Sequence, residues 1–209
     1  MKPIYVLVIG LVVTVGMIAG LAALQNNQAE NLANISVTLS ADDHVLGEGQ
    51  VTLVEYSDFQ CPACGAYWPL LKQLQEDFKG KPTLVYRHFP LRQIHANADA
   101  AAQAAEAAGR QGKFWEMADL IFTGQKDWSA SDDAKEKFEQ YAQQLGLDLT
   151  KFKEDGDSSE IKQKIQQDLD SAKALNLSGT PTFFLNGQFI KGPGSYEEFK
   201  ALVAKQAGQ

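Results

Sequence analysis

The chain has 209 residues, with 19 Lys and Arg against 26 Asp and Glu and a formal net charge of −7. That length suits one domain, or one domain with an insertion, and it buries a core without disulfide staples. An acidic chain with no Lys/Arg-rich cluster is a poor nucleic-acid binder, and the lack of a phosphate-cradling G-x-x-x-x-G-K-[ST] or of a G-x-G-x-x-G opening a helix argues against nucleotide chemistry.

Pro3 to Leu24 form an uncharged apolar run whose helical length, at about 1.5 Å per residue, matches a bilayer core. Lys2 precedes the run, and the segment after it is acidic with no Lys or Arg. The positive-inside rule then places residues 25–209 outside the cytoplasm. A cleaved signal peptide is the competing reading, because Ala22 and Ala23 could form a cleavage site. The apolar core is long for that, so residues 1–24 are expected to be a retained single-pass membrane anchor. Both readings give the same compartment. Residues 25–42, rich in Asn, Gln, Ser and Asp without periodicity, read as a flexible tether.

Within the body, Val51–Tyr56 (VTLVEY) and Thr83–His88 (TLVYRH) read as buried strands. Between them Tyr67, Leu71, Leu74 and Phe78 recur at helical spacing until Gly80 and Pro82 end the pattern. Strand, helix, strand predicts a βαβ unit with parallel strands. From His95 to about Asn176 four pieces of helical composition follow, and the aromatics Phe114, Trp115 and Phe122 mark a packed helical block of about four helices. β-signals then return: Thr182–Leu185 (TFFL), the pair Asn186-Gly187, and Gln188–Lys191 predict a hairpin on a type I′ turn. Tyr196 to about Gln206 closes the chain as an amphipathic helix. The expected α/β order is βαβ, helical block, ββα, divided at residues 43–93, 94–176 and 177–209.

Cys61-Pro62-Ala63-Cys64 follows the first strand and opens the first helix. A helix N-terminus aims unpaired N–H groups at a sulfur placed there, which favours thiolate over thiol. Cys61, at the helix start, is the better nucleophile; Cys64, a turn inside, can resolve a mixed disulfide. Pro62 suits the first helical position, where its missing N–H costs nothing. No metal site is expected: zinc wants about four ligands, and His44, His88 and His95 show no ligand-pair spacing. A structural disulfide over so short a loop removes little unfolded-state entropy. Redox chemistry remains. Pro181, just before a strand, is compatible with a cis bond to Thr180, although on residue physics alone an ordinary turn proline is the better reading.

The segments Glu55-Tyr-Ser-Asp-Phe-Gln-Cys-Pro-Ala-Cys64, Phe114-Trp-Glu-Met117 and Gly179-Thr-Pro-Thr-Phe-Phe-Leu-Asn-Gly187 resemble the DsbA-like branch of the thioredoxin superfamily. The resemblance spans roughly residues 44–206 and implies a thioredoxin-like fold with an inserted helical domain, a cis Pro181 facing the cysteines, an exposed attacking Cys61, and Thr180 in a substrate-contacting loop. It also implies an acidic residue beneath the site at Glu55, whose pKa burial would raise so that it exchanges a proton with Cys64; the alternative is a salt-bridged strand residue. Asp58, a loop carboxylate, is expected to be solvated, and His88 and His95 to be packing or surface residues. Ala63 departs from the Pro-His dipeptide of the family's best-known oxidants. With no side-chain donor there, the Cys61 thiolate should be less stabilised and the disulfide less strongly oxidising.

The expected activity is therefore extracytoplasmic thiol-disulfide exchange that introduces disulfides into unfolded or exported proteins, without a cofactor. A disulfide reductase or isomerase using the same site, and a membrane-tethered polypeptide-binding or chaperone module, are the alternatives. By resemblance, re-oxidation implies a quinone-linked membrane partner.

Overall fold

A computed structural model describes residues 35–208. Among them no helix is long and apolar enough to cross a membrane, and the expected anchor at residues 3–24 lies outside the described residues. The chain forms β1 (His44–Leu46), β2 (Val51–Ser57), α1 (Pro62–Asp77) and β3 (Pro82–His88). Six helices follow: α2 (Ala98–Gly109), α3 (Phe114–Thr123), α4 (Gln125–Trp128), α5 (Ala134–Gln144), α6 (Leu149–Gly156) and α7 (Ser159–Ala174). β4 (Thr182–Leu185), β5 (Gln188–Ile190) and α8 (Tyr196–Gln206) complete it.

The five strands form one sheet in the order β1-β3-β2-β4-β5. β2 and β3 are parallel, as the βαβ reading requires, and the other neighbours are antiparallel. Side chains alternate across the sheet. Leu53, Leu84, Tyr86, Phe183 and Leu185 pack with α1 and the helical block, while Val54, Tyr56, Val85 and Phe184 pack with Leu169 and Ala172 of α7 on the opposite face. Both faces are covered, which is why β2 and β3 are buried along nearly their whole length.

Three features differ from the sequence expectation. β1 is an additional edge strand on β3, too short and too exposed at Val45 to leave a pattern. The helical block holds six helices rather than about four: Gly124 separates the four-residue α4 from α3, and Asp148 caps α6 by accepting from Thr150 and Lys151 N–H. The end of the expected tether is docked. Val37 N–H donates to the Gly187 carbonyl at 2.8 Å, and the buried Arg87 holds Asp43 through two bonds and the Thr38 carbonyl through a third.

The Ala-rich segment becomes α2, with Ala101, Ala102, Ala105, Ala107 and Ala108 all buried. Small side chains let α3, α5, α6 and α7 approach it closely. The hairpin forms as expected, with Asn186 and Gly187 both at positive φ, 49° and 81°.

Candidate active site

Cys61 is the N-cap of α1, its extended backbone (φ −68°, ψ 121°) leading into Pro62. The Asp58 carbonyl accepts from Cys61 N–H at 3.0 Å, and the Cys61 carbonyl accepts from Gly65 N–H at 3.1 Å. The sulfur thus sits where the first-turn N–H groups converge. Both cysteines are free thiols. Cys64 is fully buried, whereas Cys61 keeps 6% exposure. Cys61 is therefore the reachable sulfur of the two but is less open than the resemblance implies, because the Thr180–Pro181 loop packs over it. The Thr180–Pro181 bond is cis, and Cys61 Sγ lies 3.4 Å from the Thr180 carbonyl oxygen, a contact in which only the thiol can donate.

The two thiols are driven apart in acidity. The bond donated by the Cys64 thiol lowers Cys61 from 9.0 to about 5, against the opposing effect of burial; the Cys64 and Ala63 backbone N–H groups add to the lowering. Burial, then the bond to Cys61 and the charge of Glu55, hold Cys64 well above its ordinary value. One cysteine is thus a thiolate at neutral pH and the other a thiol, the division that attack and resolution require. Alkylation of the reduced chain with iodoacetamide, followed by mass spectrometry across pH 3 to 9, is expected to show one fast site with its midpoint near pH 5 at Cys61 and a slow one at Cys64. The exposed Ala63 contributes only its backbone N–H.

Glu55 points from β2 toward this face and is 1% exposed. Burial raises its pKa from 4.5 to about 8, the hydrogen bond from Ser57 opposes the rise, and the charge of Cys61 adds to it. The Ser57 hydroxyl donates to Glu55 Oε1 at 2.8 Å. No cation pairs with Glu55 among the described ion pairs, so the salt-bridged alternative does not describe it. Tyr86, its register partner on β3, brings a buried hydroxyl with no hydrogen-bond partner among the described residues.

Sequence reasoning missed the groups that hold the loop. Asp58 is buried rather than solvated: it accepts from Gln60 N–H, Leu91 N–H and the His95 ring, at 2.7, 2.8 and 2.7 Å. Gln125 Nε2 donates to the Phe59 and Cys61 carbonyls at 2.7 and 2.9 Å. Gln60 donates to Ser129 O at 2.6 Å and accepts from Asn97 N–H at 2.7 Å. The helical block thereby fixes the loop that leads into Cys61. Nothing in composition or spacing marks these glutamines, because their partners lie 37 to 69 residues away.

A cysteine pair at a helix N-terminus, facing a cis-proline loop on a five-stranded mixed sheet with a helical insertion, defines a thiol-disulfide oxidoreductase of the thioredoxin superfamily. A family model described as thioredoxin matches residues 40–205. A solved thioredoxin-like oxidoreductase from Silicibacter pomeroyi DSS-3 is 28% identical, with a TM-score of 0.67 over 86% of this chain and 98% of that one. BdbD from Bacillus subtilis, in its oxidised form, shares the fold at 23% identity, with a TM-score of 0.72 over 84% of this chain and 98% of that one. The Na(+)/H(+) antiporter NhaA 3 of Salinispora tropica is 41% identical over 178 residues, which is 84% of this chain and 26% of that protein. The chain thus spans about a quarter of the length of the curated relatives it matches. It belongs to the thioredoxin family.

Proposed function

We propose that this chain donates disulfides to exported or unfolded proteins on the outer side of the cytoplasmic membrane. The observation that carries this reading is the placement of Cys61 as the N-cap of α1, facing the cis Thr180–Pro181 loop, a position that favours its thiolate. A Cys61 thiol held far below its ordinary value of 9.0 stabilises the dithiol form relative to the disulfide and so raises the reduction potential. That favours reduction of the enzyme and hence oxidation of the substrate.

In the oxidised enzyme a substrate thiolate attacks Cys61 Sγ. The Cys61–Cys64 bond breaks, and Cys64 leaves as a thiolate. Protonated Glu55 delivers a proton to it, a transfer suited to an acid whose pKa is about 8. A second substrate thiolate then attacks the substrate sulfur of the mixed disulfide and releases the Cys61 thiolate. The substrate loses two electrons and two protons, and the enzyme gains the electron pair as a dithiol. The Thr180–Pro181 loop beside Cys61 offers backbone for an extended peptide to pair with. Re-oxidation falls to a membrane redox partner, a quinone-linked protein being the proposed class. The apolar run at residues 3–24, with Lys2 before it, supports an anchored, extracytoplasmic arrangement.

The direct test mixes the oxidised full chain with a reduced, unfolded two-cysteine protein. Oxidation of the substrate well above the rate with glutathione disulfide is expected. Failure to oxidise it, combined with rapid reduction of a disulfide substrate by the dithiol form, would turn the assignment toward a reductase.

A further inference from the structure

Away from the cysteines, three side chains distant in sequence converge on one point. His44 Nε2 of β1 lies 2.7 Å from Glu106 Oε1, and His88 Nε2 of β3 lies 2.8 Å from the same oxygen. Glu106 belongs to α2, the first helix of the inserted block. The three potential ligand atoms all lie within 4.8 Å of one another. Two imidazoles thus aim the same type of nitrogen at one carboxylate oxygen, while no hydrogen bond from a described residue reaches the other oxygen.

The rings are held in place from behind. The His44 ring stacks on Phe114, with centroids 3.5 Å apart and planes at 6°, and His88 sits at 1% exposure among Phe59, Tyr86 and Phe114. Glu106 also lines an open cleft with Asp42, Glu160 and Gln163. The two cations at that cleft are already paired, Arg110 with Asp155 and Lys164 with Asp168. Of the three side chains, Glu106 is the one that meets this cleft, whose rim also carries Asp42 and Glu160.

We propose that His44, His88 and Glu106 form a binding site for a divalent first-row transition metal, zinc fitting best, that fastens the edge strand and the sheet to the helical insertion. Two imidazole nitrogens and one carboxylate oxygen are a set this class of ion prefers, and three protein ligands leave a position for water. A tetrahedral ion about 2.0–2.1 Å from each ligand spaces them about 3.3 Å apart, so the two ring-to-oxygen distances open by about half an ångström while the two ring nitrogens, within 4.8 Å of each other, adjust to the same spacing. On binding, each ring presents a bare Nε2 and carries its proton on Nδ1 or releases it to solvent. The sequence gives no sign of this site, because its ligands lie 18, 44 and 62 residues apart.

The test uses the full chain in detergent micelles with the Cys61–Cys64 disulfide formed, so that no thiol competes for metal. Titration with cobalt(II) is expected to give the intense visible d–d bands of a low-coordinate ion, saturating at one equivalent and abolished by added zinc. His44→Gln and Glu106→Gln are each expected to weaken binding about 100-fold or more, while circular dichroism confirms retained helix. Zinc is expected to raise the melting temperature of the parent chain and not that of the variants. Visible absorption no different from that of the free aqua ion would overturn the proposal, as would folded variants that bind with parental affinity. If a variant fails to fold, the parent spectrum alone decides.

Discussion

Replacing Cys61 with serine is expected to reduce disulfide transfer to the uncatalysed background, and replacing Cys64 with alanine to leave a chain that captures substrates but does not release them. Both outcomes follow from the division of labour at the start of α1. Cys61 is the reachable sulfur and is held as a thiolate, with a pKa near 5. Cys64 is fully buried and kept as a thiol. A serine hydroxyl at position 61 is not ionised at neutral pH and forms no disulfide, so nothing replaces the lost nucleophile. In Cys64→Ala, Cys61 still reacts with a disulfide substrate, but the internal sulfur that would break the mixed disulfide is gone. Non-reducing electrophoresis of the variant incubated with a disulfide-bonded protein checks this through a persistent, dithiothreitol-sensitive adduct. The same variant loses the strongest contributor to Cys61 acidity, the bond donated by Cys64. Its alkylation midpoint should therefore move upward, and an unmoved midpoint would assign the acidity to the helix N-terminus instead.

Glu55→Gln is expected to stabilise the oxidised chain by up to about 3 kcal/mol at pH 7 while slowing exchange at Cys64. In the dithiol form the folded-state pKa of about 8 lies above the ordinary 4.5, chiefly through burial, which the oxidised chain retains, with a smaller contribution from the charge of Cys61, which it lacks. Between those values the unfolded chain sheds a proton that the folded chain keeps. The stability linked to this group is full below about pH 4.5 and is lost as pH rises toward about 8, at about 1.4 kcal/mol per pH unit. Glutamine does not titrate and carries no such loss. Urea unfolding of both oxidised chains should give similar stabilities near pH 4.5, with a gap that widens to pH 7. A gap of the same size at both pH values would instead mean that packing or hydrogen bonding, not the buried charge, sets the difference. A residue that costs stability at neutral pH yet sits beneath a redox pair fits a role in moving protons.

The strand-helix-strand unit, the Asn186-Gly187 hairpin and the last helix were legible because each depends on local pattern: apolar spacing, a positive-φ pair and terminating residues. The cysteine pair was legible for the same reason, since its chemistry is set by the helix it opens. β1 escaped because three residues with an exposed Val45 carry no periodicity. The short helices α4 and α6 escaped because four and eight residues are too few for a hydrophobic stripe. Asp58 read as solvated because a loop carboxylate usually is; here Gln60, Leu91 and His95 supply its partners from both sides of β3 and shelter it. Gln60 and Gln125 work entirely through tertiary contacts, so only the folded chain shows them steadying the redox loop. The convergence of His44, His88 and Glu106 belongs to the same class.

The reduction potential of the Cys61–Cys64 pair tests the proposed direction of catalysis most directly. The full chain is equilibrated with glutathione buffers of graded ratio, and free thiols are counted by alkylation and mass spectrometry. The stabilised Cys61 thiolate, without any side-chain donor from Ala63, predicts a value between about −200 and −120 mV, that of a disulfide donor short of the strongest oxidants. A value near about −270 mV, that of thioredoxin, would contradict it and make the chain a reductase that draws electrons from its partner.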